Sequence, residues 1–83
     1  MGGGPVAEWA YEMHVPNDVL DGEELDGYRE LALATWRTAA EASGARPGEP
    51  TARLIEVDPT TARRDPVSGE LPRRAWYVHG PVS

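Results

Sequence analysis

From Val6 to Val15 apolar and polar positions alternate strictly. Ala7, Trp9, Tyr11, Met13 and Val15 fall on one side; Val6, Glu8, Ala10, Glu12 and His14 fall on the other. A period of two predicts a half-buried strand over 6–15, which Pro16 ends. Asn17 and Asp18 then favour a turn. Between Asp21 and Gly44 the period lengthens, and at roughly 100° per residue Leu25, Tyr28, Ala32, Trp36, Ala39 and Ser43 share a stripe opposite Glu23, Asp26, Glu30, Arg37 and Glu41. This predicts an amphipathic helix over 22–43. Asp21 and Glu24 have the spacing of a capping box, and Leu20 and Leu25 that of a hydrophobic staple. Gly44 is placed to take the left-handed conformation that ends helices, with Pro47 beyond it.

The stretch Ala45–Pro50 contains two prolines and a glycine and reads as a loop. Alternation returns over 51–58, where Ile55 and Val57 share one face and Leu54 and Glu56 the other, and again over 73–79, before Gly80-Pro81. Between them the segment 65–70 resembles a hairpin turn, with Pro66 suited to its first corner and Gly69 to a left-handed position. If Asp65 faces Glu70, Val57 faces Val78 and Pro59 faces Trp76, which gathers Ile55, Val57, Trp76 and Val78 on one buried face.

The order strand, helix, strand, strand predicts an α+β fold: a three-stranded mixed sheet with one helix packed on one face. The first two strands are expected to run parallel through a right-handed crossover, with the third, antiparallel to the second, at the centre. Trp9, Trp36 and Trp76 each fall on the apolar side of a different element and read as core. With 83 residues, one small domain over 6–83 behind a leader of residues 1–5 is expected.

Composition narrows the chemistry. There is no cysteine, which removes disulfides and thiolate metal sites from consideration. The chain carries no apolar run near the ~20 residues of a membrane span and no signal-peptide pattern, and so reads as soluble and cytoplasmic, without a membrane partner. The net charge of −6 is uneven: residues 1–45 hold nine acids against Arg29 and Arg37, whereas residues 46–83 hold six Arg against five acids. An acidic half speaks against direct nucleic-acid binding, which needs a basic footprint. All eight basic residues are Arg, as a GC-rich genome would produce, and Arg is also the better partner for carboxylates.

No catalytic signature, nucleotide loop or cofactor motif is present, and neither a metal nor a cofactor is expected. His14 and His79 fall on the sheet face away from the helix, near Glu12, Glu56 and Tyr77; two His with a carboxylate form a known metal set, but strand histidines without close spacing usually remain solvated polar groups. The same face, with Leu54 beside Tyr77, His79, His14, Glu12 and Glu56, is amphipathic and lacks a cover, which marks it as a binding surface. Arg63, Arg64, Arg73 and Arg74 cluster at the hairpin and could dock on an acidic helix start (Glu23, Glu24, Asp26) of another copy or another protein. The function expected is a non-catalytic interaction or assembly module that binds a protein partner or its own copies, of the size of an accessory protein of a mobile element.

The strand–helix–strand–hairpin order also resembles the protomer of the tautomerase family, whose small chains assemble into oligomers and use an amino-terminal proline as general base. Pro5 is the equivalent this resemblance implies, and only after removal of residues 1–4, because an internal proline nitrogen is an amide without basicity. A third reading, from the acidic half, is a nucleic-acid mimic that inhibits a DNA-binding protein through Glu23, Glu24 and Asp26.

Overall fold

The structure, a computed structural model, describes residues 7–64, 66 and 69–83. It comprises β1 (Ala7–Val15), α1 (Glu23–Ala42), β2 (Thr51–Glu56) and β3 (Arg74–Val82), an α+β fold with one helix on one side of a three-stranded sheet. β3 lies at the centre, and both ladders are antiparallel. β1 and β2 therefore point the same way, as expected of strands joined by a helical crossover, but β3 separates them and the described sheet contains no parallel ladder. Val6 and Pro5 lie outside the described residues, as do Asp65, Val67 and Ser68 of the expected hairpin turn.

β3 does not stop at Gly80-Pro81 but continues to Val82, because the chain around Pro47 extends its edge. Arg46 N–H donates to Ser83 O (2.8 Å), Ser83 N–H returns a bond to Arg46 O (3.0 Å), and Gly48 N–H donates to Pro81 O (2.8 Å). A strand residue directs its N–H and C=O to the same edge, so the nitrogen of Pro81 faces this loop rather than β1. The missing donor leaves the β1–β3 ladder intact, which is how a proline is accommodated in a central strand. Val57 N–H donates to Arg73 O on the same side. Odd-numbered residues of β3 thus address β2 and the loop, and even-numbered ones address β1.

The β2–β3 register differs from the expected one by five residues: Ala52 faces Val78 and Leu54 faces Trp76. An odd shift exchanges the faces of a strand. Ala52, Leu54 and Glu56 therefore lie on the helix side, and Thr51, Arg53 and Ile55 on the open side. The connection runs from the end of β2 at Glu56 to the start of β3 at Arg74. It opens with Asp58, whose Oδ1 accepts from Thr60 N–H (2.9 Å) and Thr60 Oγ1 (2.7 Å). It closes against Asn17, whose Nδ2 donates to Leu71 O (2.9 Å) while its Oδ1 accepts from Arg73 N–H (3.1 Å). Gly69 has the expected positive φ, 74°.

The core joins Leu25, Ala32, Trp36 and Ala40 of α1 to Val15, Trp76, Val78 and Val82 of the sheet, with Val19 from the turn. Complete burial of side chains the size of Leu or Val contributes about 1.5–3 kcal/mol each. Ala39 and Ser43, expected on the stripe, are exposed, and Ala40 takes the buried place. Both fully packed indoles have hydrogen-bond partners: Trp36 Nε1 donates to Trp9 O (3.0 Å) and Trp76 Nε1 to Leu25 O (3.0 Å). Trp9 itself is half-buried against this cluster.

The helix ends as the sequence implies but starts otherwise. Gly44, at φ 87°, closes a Schellman motif in which Ala45 N–H donates to Ala40 O (3.1 Å) and Gly44 N–H to Glu41 O (3.0 Å). At the start, Gly22 holds the cap position without a side-chain hydrogen bond. Asp21 falls one residue before the cap, and its carboxylate pairs with Arg74, Nη1 to Oδ1 at 2.9 Å. Leu20 is 74% exposed and makes no staple; the buried apolar residue of the turn is Val19.

Candidate functional site

The open face of the sheet follows from the two registers. Read across from β1 through β3 to β2, Glu12 faces Tyr77, which faces Arg53; Ala10 faces His79, which faces Thr51; and His14 faces Ala75, which faces Ile55. Glu8 faces Pro81 at one end. Acidic groups thus lie along β1, aromatic rings along β3, and a cation with an aliphatic side chain on β2.

Local contacts order these groups. The Arg53 guanidinium carbon lies 5.4 Å from the centre of the Tyr77 ring, within cation–π range. Tyr77 and His79, two residues apart on one strand face, have ring centres 5.5 Å apart at a tilt of 34°. His79 Nδ1 is 3.0 Å from Glu8 Oε1, and His14 Nε2 is 4.0 Å from Glu12 Oε2. The His79 side chain retains 32% exposure and that of Glu8 67%, so the pair is held in place yet open to a ligand. Chemically, the face offers ring faces, a cation and carboxylate acceptors, which is equipment for recognition.

The residues expected on this face divide into two groups. Tyr77, His79, His14 and Glu12 are brought together on it, whereas Leu54 and Glu56 lie on the opposite side, turned there by the register. Arg53, which had no expected role, and Ile55, expected on the buried face, take their places. His14 and His79 do not converge: His79 faces Ala10, four residues from His14 along β1, or about 13 Å at strand rise. Among the described residues no group of three or more His, Asp or Glu is arranged to hold a metal ion.

The Arg cluster surrounds a different region, where the turn after β1 meets the loop before β3. Arg64, Arg73 and Arg74 line one shallow cleft there with Asn17, Asp18 and Glu56, and Arg63 and Arg64 line a second beside His14 and Pro16. Arg64 Nη1 donates to Gly69 O (2.9 Å), and Arg74 Nη2 to Val19 O (2.6 Å). Within the chain, Arg74 Nη1 also pairs with Asp21 Oδ1 (2.9 Å), just before the helix start. Glu23, Glu24 and Asp26 are exposed in the first turn of α1, where carboxylates complement the helix dipole. Leu54, Leu20 and Leu31 are the large apolar side chains most exposed among the described residues.

No described helix is long and apolar enough to cross a membrane. Comparison with family models, curated proteins and solved structures returned no match.

Proposed function

We propose that this chain is a non-catalytic protein-interaction module whose partner lies across the open face of the sheet. The observation that carries this reading is the row Glu12–Tyr77–Arg53, an acid, an aromatic ring and a cation set side by side on the sheet face away from the helix, with Glu12 and Arg53 exposed and Tyr77 half-buried. Aromatic and Arg side chains are the residues most often dominant in protein interfaces. Charges of opposite sign at the two margins would orient the partner and set its encounter rate.

The test is differential capture from the native host with tagged wild-type, Tyr77→Ala and Arg53→Glu chains, followed by measurement of the affinity for whatever the wild type retains. Loss of a dominant interface residue costs 2 kcal/mol or more, so each variant is expected to weaken binding by at least ~30-fold. A partner held equally by all three chains would show that the open face is not the binding surface.

A further inference from the structure

The described sheet has two edge strands, β1 and β2, and they are not equivalent. β2 offers six residues, closely preceded by Pro47 and Pro50 and followed by Pro59, a short edge of the kind that resists pairing. β1 offers nine residues without a proline, glycine or bulge. Since the even-numbered residues of β3 address β1, the paired residues of β1 are Ala7, Trp9, Tyr11, Met13 and Val15. The N–H and C=O groups of Glu8, Ala10, Glu12 and His14 point away from the sheet, and among the described residues none of them takes part in a backbone hydrogen bond outside the sheet. We propose that a second copy of this chain pairs with β1 along this edge, antiparallel and centred on Tyr11, to form a six-stranded antiparallel sheet. This goes beyond the open-face reading and does not depend on it.

Side-chain chemistry selects the register. Matching of faces requires paired positions of the same parity. Centring on Ala10 would set Glu8 against the partner's Glu12, and centring on Glu12 would set that residue against itself, both like-charge contacts. Centring on Met13 places Glu12 opposite the partner's His14 but overlaps only 11–15. Centring on Tyr11 overlaps all of 7–15, sets Glu8 opposite the partner's His14 and Ala10 opposite the partner's Glu12, and brings no two carboxylates face to face. Every outward backbone group then gains a partner, about eight new hydrogen bonds across the two-fold axis.

The helices fit the same arrangement. α1 lies over β1 and β3 about equally and scarcely over β2, so its axis stands about half a strand spacing inside β1. Two copies joined at 4.8 Å strand spacing would place their helices on the same face about 10 Å apart, the ordinary distance of packed helices. Trp9, Tyr11 and Met13, half-buried in one copy, would meet their counterparts beneath that pair.

Absence of cysteine makes the register directly measurable. Tyr11 faces its own counterpart in a non-hydrogen-bonded pair with Cα atoms about 4.5 Å apart, within disulfide reach. Tyr11→Cys is expected to oxidise to a covalent dimer, and Met13→Cys, which faces the partner's Trp9, is not. Should Tyr11→Cys fail to fold, a mixture of Glu8→Cys and His14→Cys chains, both at exposed positions, is expected to cross-link while neither does alone. In sedimentation the wild type is expected at twice its 9.0 kDa chain mass. Ala10→Pro, which removes only an outward N–H, is expected at the monomer mass with its helix signal retained. A wild type that stays monomeric at its highest soluble concentration, or Met13→Cys cross-linking as readily as Tyr11→Cys, overturns the proposal. The capture assay with Arg53→Glu is independent of this outcome, since that substitution leaves the β1 edge unchanged.

Discussion

At Gly80 the absence of a side chain lets the Trp36 indole lie against β3. A Cβ there would come within 3.0 Å of the Trp36 ring and 2.8 Å of the Pro50 backbone. Because Trp36 is 1% exposed and tied to Trp9 O, neither neighbour has room to yield. Gly80→Ala is expected to destabilise by about 1–3 kcal/mol, read as a lower urea midpoint at unchanged slope. Asn17 acts at the same scale through both ends of its amide. Asn17→Ala removes the bonds to Leu71 O and Arg73 N–H at once and is expected to cost about 1–2 kcal/mol, with faster amide exchange at Arg73. The core role of the tryptophans was legible in the sequence because periodicity alone places an indole inside. The role of Asn17 was not, because its partners lie more than fifty residues along the chain and an Asn after a proline reads as an ordinary turn former. Asp21 misled for a related reason: the helix starts one residue later than the local capping pattern implies, and the carboxylate meets a cation from the last strand instead.

For whole elements, β1 and α1 could be read to within a residue or two, since nine alternating positions and five helical turns leave little freedom. β2 could not be oriented. Both of its faces mix apolar and polar residues, Ala52 and Leu54 with Glu56 on one and Ile55 with Thr51 and Arg53 on the other, so burial alone does not choose between them, and the choice passed to the turn. At the start of the β2–β3 connection, Asp58 folds the chain over Thr60. Backbone and side-chain hydrogen bonds from Thr60 hold the Asp58 carboxyl below its ordinary 3.8. A lowered folded value means that the carboxylate supports the turn above the unfolded value and that this support is lost as pH falls through the folded one. The Thr60 amide resonance is therefore expected to titrate at a pH below 3.8 in NMR spectra, and Asp58→Asn to abolish that transition. A midpoint at or above 3.8 would count against the turn.

Over the whole molecule, stability is concentrated on one side. The helix covers β1 and β3, leaving β2 attached chiefly through its ladder and Leu54 40% exposed. Hydrogen exchange is expected to be slowest in β3 and fastest in β2, whereas equal protection of all three strands would mean that the sheet opens only as a unit. The central position of β3 also bears on how the protein comes into being. Both ladders are made by the strand that is synthesised after the other two, and Ala7 must find Val82 across nearly the full chain. On the ribosome, α1 can coil as soon as it emerges, but β1 and β2 wait unpaired until residues 74–82 follow them out. Such long-range pairing slows folding and leaves strand edges open in the interval. The nascent chain is therefore most vulnerable to the wrong partner in the moments before its own last strand arrives.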